Sequence, residues 1–238
     1  MYCSHCGQKR DTKRFTFGHL LYNFLQSVIN TEKGVWRLLK GLTLQPGLTA
    51  AEYVEGKRKK YFNVFTFYAL CITISLFISS WLKPYMQGND IRAMSGLPFN
   101  ADPRRVADAQ DFLNNHQAIL SELAFPYYAL GLWLFFRGRK RNAAEITIAF
   151  LLFAGFTSLV SSFIIIPLQA AIETQTGKDI VLFISLALGA LYCSWGFNYF
   201  FGYRSRAGFL KILAIYTLVG LVGFVLLMTI IIIYASMG

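Results

Sequence analysis

The stretch Glu55-Gly56-Lys57-Arg58-Lys59-Lys60-Tyr61-Phe62-Asn63-Val64 divides the chain into two parts of opposite character. Four consecutive cations end there, and the apolar run that follows, residues 61–82, contains no charged side chain. At a rise of about 1.5 Å per residue, a helix of this length crosses the roughly 30 Å hydrocarbon core of a bilayer. The junction therefore predicts that the chain enters a membrane here.

The composition supports this interpretation. Of the 238 residues 55% are hydrophobic and only 15% are charged, whereas about a quarter of a soluble domain is charged. The net charge of +11 does not indicate a nucleic-acid partner, because the cations flank apolar runs and form no stripe on a soluble fold. They are typical of topology signals and of contacts with anionic lipid head groups. No apolar segment of a cleavable signal peptide occurs in residues 1–14.

We predict an all-α integral membrane protein, with a bundle of five transmembrane helices in residues 61–238. The spans are expected at 61–82, 120–136, 143–169, 180–201 and 209–234, with an outer loop at 83–117. Pro126 and Pro167 are expected to distort the helices that contain them, because proline lacks the amide hydrogen of a helical bond.

The charges of the connecting segments predict the orientation. Eleven Lys and Arg precede the first span, and the 137–142 loop carries four cations and no acid. Loop 83–117 balances four cations with four acids, and loop 170–179 has one cation and two acids. By the positive-inside rule the N-terminus is cytoplasmic and the C-terminus lies outside. The expected location is a cytoplasmic membrane.

Residues 15–60 are predicted to form cytoplasmic interfacial helices. Apolar residues recur at helical spacing through 17–28, and a second helix near Thr31 would place Trp36 in the head-group layer. After Gln45-Pro46-Gly47, the stretch Thr49-Ala50-Ala51-Glu52 has the pattern of a capping box, and Gly56 suits the end of that helix.

Residues 1–14 contain the element Cys3-Ser4-His5-Cys6-Gly7-Gln8. Two thiolates at this spacing can coordinate one zinc ion, and His5 and His19 are candidate further ligands. A structural site needs four ligands, however, and no second Cys pair follows. Zinc is thus the one candidate cofactor. A degenerate remnant, a site shared between two chains and a reducible dithiol are the alternatives.

Three elements of the sequence together resemble a bacterial family known as domain of unknown function 3667. They are Cys3-x-x-Cys6-Gly7-Gln8, Leu44-Gln45-Pro46-Gly47, and the segment from Glu52-Tyr53 through Gly56-Lys57-Arg58 to Tyr61. The resemblance covers about the first 70 residues and implies transmembrane helices but no established activity. The chain departs from the family where Asn63-Val64 replaces a frequent proline. A weaker likeness, of fold alone, is to the five-span Yip family.

The spans offer little catalytic chemistry. Ionisable residues lie only near their edges, as Glu122, Glu145 and Lys211 do, and Glu145 is expected to pair with the Arg137–Arg141 run. No Ser-His-Asp order, HExxH sequence, P-loop or paired carboxylate occurs, so the sequence does not support an enzyme. The mild polar residues Ser158, Ser161, Ser162 and Asn198 are candidates for lining an internal cavity.

The function predicted from these features is that of a non-enzymatic scaffold, partner or lipid-interacting subunit with a cytoplasmic basic rim. The partners would be anionic lipids and another membrane protein or a second copy of the chain. The predicted rim consists of Lys57, Arg58, Lys59, Lys60, Arg137, Arg139, Lys140 and Arg141. The alternative is a transporter or lipid-translocating protein for an amphiphilic substrate.

Overall fold

The computed structural model describes residues 32–57, 60–82, 108, 111–112, 125–137 and 141–236. Every regular element in this part of the chain is helical. The elements are α1 (Glu32–Leu44), α2 (Pro46–Val54), α3 (Val64–Leu82), α4 (Phe125–Phe136), α5 (Ala143–Val160), a π-helical turn (Ser161–Ile165), α6 (Ile166–Ala171), α7 (Gln175–Phe200) and α8 (Arg206–Ser236).

Within the described residues, four helical segments are long and apolar enough to cross a membrane. They are Val64–Leu82, Ala143–Ala171, Gln175–Phe200 and Arg206–Ile230. These confirm the first, third, fourth and fifth predicted spans, with ends shifted by a few residues. The second predicted span appears as the shorter apolar helix α4, and residues 113–124 before it lie outside the described part. A count of five spans therefore stays a prediction.

The third span contains the distortion expected at Pro167. The π-helical turn Ser161–Ile165 separates α5 from α6, and Pro167 follows in the first turn of α6. Proline cannot donate the usual backbone bond and its ring crowds the carbonyl four residues earlier, so a widened turn just before it relieves both problems. Pro126 lies beside residues that are not described, and the kink expected there stays a prediction.

Buried side chains concentrate at one end of the bundle, which we call the basic end. It is formed by the start of α3, the end of α4, the start of α5 and the turn between α7 and α8. Aromatic rings fill it: the centroids of Phe153 and Phe197 are 5.0 Å apart, and those of Phe136 and Phe201 are 4.4 Å apart. By contrast, the first half of α7 and most of α8 expose large apolar side chains, as expected for surfaces that face lipid.

Helices α1 and α2 form a hairpin, residues 32–54, that packs against the basic end. Leu38, Leu42 and Ala50 are fully buried, and the Tyr192 hydroxyl of α7 donates a 2.8 Å hydrogen bond to the Leu42 carbonyl. The α1–α2 hairpin thus belongs to the packed core. Its predicted interfacial position stays a prediction, because packing on the bundle does not by itself fix its depth in lipid.

The capping box predicted at Thr49 and Glu52 is wrong. Helix α2 begins at Pro46, and the Thr49 hydroxyl donates to the carbonyl of Gln45 from within the helix. Proline has its φ preset for a first turn and no amide hydrogen to satisfy, so the helix starts four residues earlier than predicted. A capping box does occur at α5, where the Asn142 side chain accepts the Glu145 amide at 2.9 Å and the Glu145 carboxylate accepts the Asn142 amide at 3.1 Å.

Candidate functional site

The junction between α2 and α3 is organised around the carboxylate of Glu52. One oxygen accepts a hydrogen bond from the Lys57 ammonium at 3.1 Å. The other accepts from the Lys60 ammonium and, at 2.6 Å, from the Tyr61 hydroxyl. We call these four residues the Glu52 clamp. It folds the cationic stretch back onto the helix that precedes it.

The clamp changes the acid–base properties of its members. Hydrogen bonds lower the pKa of Glu52 from 4.5 to about 2, because each donor favours the charged carboxylate. Lys60 has the largest effect, followed by Tyr61 and Lys57. The bond to Glu52 also raises the pKa of the Lys60 ammonium. At neutral pH the clamp therefore holds one carboxylate against two ammonium groups.

Further contacts join the same segment to the bundle. The Glu55 carboxylate accepts a 2.8 Å bond from Arg141, whose guanidinium lies 4.9 Å from the centroid of the Phe200 ring. The Tyr53 hydroxyl accepts the Val64 amide at 3.4 Å, at the first residue of α3. Gly56 has a φ of 103°, which glycine adopts at no steric cost and which reverses the chain after α2. Glu145 caps α5, as described above, and the carboxylate that pairs with Arg141 belongs to Glu55.

The residues of the predicted basic rim differ in the contacts that they make. Lys57, Lys60 and Arg141 are engaged by Glu52 or Glu55, and Arg137 lies exposed with its guanidinium 5.5 Å from the Trp133 ring centroid. The other four predicted members, Arg58, Lys59, Arg139 and Lys140, lie outside the described residues. Exposed cations that the rim prediction omitted lie on α1 and around the α7–α8 turn: Arg37, Lys40, Arg204, Arg206 and Lys211.

The four residues predicted to line a cavity lie at different levels of the bundle. The buried Ser162 hydroxyl donates to the Ser158 carbonyl at 2.7 Å, and Ser161 opens the π-helical turn. Asn198 lies near the basic end, where its amide donates to the Ser205 carbonyl at 3.2 Å. A Cβ on Gly196, two residues before Asn198, would meet Phe153, so the serines lie roughly 10–17 Å further along α5 than Asn198. A cavity shared by all four stays a prediction.

Two further features are a pair of buried polar atoms, one of them on the predicted cavity residue Asn198, and an apolar groove that was not predicted. The Ser194 hydroxyl and the Asn198 side-chain oxygen are buried one helical turn apart on α7, and neither has a hydrogen-bond partner among the described residues. An apolar surface groove of about 440 Å³ is lined by Thr73, Ile74, Phe77, Ile78 and Phe163. Nothing in its lining suggests catalytic chemistry.

The predicted metal ligands Cys3, His5, Cys6 and His19 lie outside the described residues. Within the described ranges, no group of three or more His, Cys, Asp or Glu side chains is placed to hold a metal ion. Zinc binding by the N-terminal segment therefore stays a prediction.

The fold defines a multi-pass membrane protein, with four apolar helices of spanning length in the described part. Residues 32–76 match a family model described as "Protein of unknown function (DUF3667)". The match runs through the α1–α2 hairpin, the Glu52 clamp and into α3, and it confirms the resemblance drawn from the sequence for this segment. The cysteine pair lies outside the matched residues, and the likeness to the Yip family is not confirmed. No curated protein and no solved structure matches the chain.

Proposed function

We propose that this protein is a non-enzymatic scaffold or lipid-interacting subunit of the bacterial cytoplasmic membrane, with anionic head groups bound at its basic end. The observation that carries the proposal is the set of exposed cations beside apolar helices of spanning length. The basic end would face the cytoplasm, where the positive-inside rule places such clusters.

The strength of the interaction with lipid head groups depends on how many of these cations have no acidic partner in the protein. Glu52 and Glu55 neutralise part of the charge of Lys57, Lys60 and Arg141, so these three contribute less than isolated cations would. Near an anionic surface each free Lys or Arg contributes about 1 kcal/mol. The exposed residues Arg37, Lys40, Arg137, Arg204, Arg206 and Lys211 would therefore attract head groups without a dedicated pocket.

Packing within the bundle favours a scaffold over a carrier. Phe153, Phe197 and Phe200 are almost fully buried in the core of the basic end. Several hydroxyl groups in the spans bond to carbonyls of their own helices, which leaves them little capacity for a polar substrate, although the buried Ser194 hydroxyl does not. Examples are Thr73 to Ala69, Thr157 to Phe153, Ser162 to Ser158, Thr217 to Leu213 and Thr229 to Val225.

Lipid retention measured by native mass spectrometry would test the proposal. The protein would be purified from mixed phosphatidylglycerol and phosphatidylcholine, as wild type and as the triple variant Arg137→Gln, Arg204→Gln and Arg206→Gln, which removes three of these exposed cations. The control, Arg92→Gln with Arg104→Gln and Arg105→Gln, removes the same charge from loop 83–117. We expect phosphatidylglycerol enrichment to fall several-fold in the first variant alone. Equal retention in all three proteins would contradict head-group binding at the basic end.

The alternative, lipid translocation, has a direct assay in the same preparation. Proteoliposomes carrying fluorescent lipid would be treated with an impermeant reductant, which bleaches only the outer leaflet. We expect the fluorescence of the inner leaflet to persist, as in protein-free vesicles, because a scaffold would not exchange lipid between the leaflets. Loss of the protected fraction would favour the translocating protein.

A further inference from the structure

We propose that the α1–α2 hairpin is a re-entrant element whose tip, residues 43–48, lies among the acyl chains of the leaflet at the basic end. This inference rests on the membrane-spanning helices and not on the lipid binding proposed above. It assigns a lipid-facing surface to a segment that the sequence alone places on the membrane surface.

The depth of the hairpin can be read from its contacts with α7. A Cβ on Gly47 would overlap the Gly196 carbonyl oxygen, four residues before Phe200 at the end of α7. Leu42 accepts its hydrogen bond from Tyr192, eight residues before that end. At about 1.5 Å per residue, these contacts lie roughly 6 and 12 Å inside the helix end. A single leaflet contributes about 15 Å of hydrocarbon, so the tip reaches well into it.

The distribution of charge along the hairpin agrees with insertion. Residues 41–51 contain no ionisable side chain, and Lys40 and Glu52 stand on either side of this neutral stretch. Two large apolar side chains beside the turn are exposed, Leu44 at 59% and Leu48 at 42%. In water these leucines would gain nothing from their exposure, whereas acyl chains would cover them. The flexible stem of Lys40, whose side chain is exposed, can carry its ammonium back to the head groups.

The backbone of the turn is suited to an environment without water. Only Gln45 separates the two helices, and its amide donates to the Gly41 carbonyl at 2.8 Å. Its own carbonyl accepts both the amide and the hydroxyl of Thr49, each at 3.0 Å. The next residue, Pro46, has no amide hydrogen to satisfy. Non-helical backbone at membrane depth is tolerated where its polar groups are bonded within the protein, as the amide and the carbonyl of Gln45 are.

Depth-dependent labelling would test the inference on the full chain in proteoliposomes. Leu44→Cys and Leu48→Cys would be made singly in a background with Cys3→Ser and Cys6→Ser, with the buried Cys71 and Cys193 retained. Lys57→Cys, exposed at the basic end, is the matched control. Each protein would be treated with a charged maleimide reaching both membrane faces. Separately, each would carry an environment-sensitive fluorophore quenched by nitroxide lipids labelled in the head group or at mid-chain.

We expect the charged maleimide to label Lys57→Cys fully and to leave both leucine positions unlabelled. The fluorophore at either leucine position should be quenched more strongly by the mid-chain nitroxide, and at Lys57→Cys by the head-group nitroxide. Labelling of both leucine positions as complete as that of the control would overturn the inference. Protection from the maleimide without quenching by either lipid would overturn it too, since protein would then cover the tip.

Discussion

At the scale of single residues, the Glu52 clamp explains the spacing of the cationic stretch. Lys57, Lys60 and Tyr61 converge on one carboxylate because Gly56 turns the chain back over the end of α2. The sequence identified these residues as a group but assigned the lysines to lipid and Glu52 to a helix cap. Local pattern could not decide between a cap and an ion pair, because both use the same side chain.

Replacing Glu52 with Gln is expected to destabilise the protein by about 1 kcal/mol at neutral pH, because the partly exposed clamp loses its charge. For a chain of this size that corresponds to a fall of roughly 2–4 °C in the apparent Tm, measured by thermal unfolding in detergent. The control Glu173→Gln removes an exposed carboxylate outside the clamp and should change stability by less than about 0.5 kcal/mol.

The same variant carries a pH signature. Since folding lowers the pKa of Glu52 from 4.5 to about 2, its ionised form stabilises the fold above pH 4.5. That stabilisation is lost as the pH falls through this interval towards 2. The difference in Tm between wild type and Glu52→Gln should therefore narrow between neutral pH and about pH 3. A difference that stays constant over this range would show that Glu52 acts through packing alone.

The cysteine pair gives a third prediction at the residue scale. If Cys3 and Cys6 coordinate zinc, the purified protein should contain the metal. Cys3→Ser or Cys6→Ser should then lower the zinc-to-protein ratio measured by elemental analysis. Cys71→Ser is the control, because Cys71 is buried in α3 among apolar residues. Metal content equal in all variants would remove zinc from consideration.

At the scale of elements, the α1–α2 hairpin depends on close approach to α7. Gly47 meets the backbone of α7, where an added Cβ would lie 2.9 Å from the Phe200 nitrogen as well as overlapping the Gly196 carbonyl. A backbone atom cannot move aside as a flexible side chain does. The break at Gln45-Pro46-Gly47 was visible in the sequence, but its partner on α7 was not, because the two segments are some 150 positions apart.

Gly47→Ala is expected to destabilise the fold by about 1–3 kcal/mol, because the methyl group forces the hairpin away from α7. Gly189→Ala provides the control within α7 itself, since a Cβ there would have no atom within 4 Å. Alanine is also the better helix former by roughly 0.5–1 kcal/mol. Thermal unfolding should show a lowered Tm for the first variant and an equal or higher one for the second. A Tm for Gly47→Ala equal to wild type would contradict the tight contact.

At the scale of the whole molecule, the charged connectors and the apolar helices determine how the chain crosses the membrane. The described helices confirm four spans. An even total number of spans would place the two ends of this chain in the same compartment, and an odd number would place them in different ones. With α4 as a fifth span, the ends lie on opposite sides.

The topology can be measured with the native thiols Cys3 and Cys6 and an added Gly238→Cys in the Cys71→Ser, Cys193→Ser background. An impermeant maleimide should label Gly238→Cys in intact cells and the N-terminal cysteines only after lysis, as the positive-inside rule requires. The variant without Gly238→Cys is the control for background labelling. Both ends reacting in the same compartment would contradict the five-span arrangement.

The sequence by itself determined the class of protein and the approximate position of four spans. A span requires about 20 consecutive apolar residues, and such a run can be recognised without knowing what the helix packs against. It also indicated the resemblance that residues 32–76 confirm. Tertiary structure alone decided that the α1–α2 hairpin joins the core, that Glu52 binds cations, and that Arg141 pairs with Glu55. Those outcomes depend on which other parts of the chain a side chain contacts after the helices have packed. The neighbouring sequence does not specify these contacts.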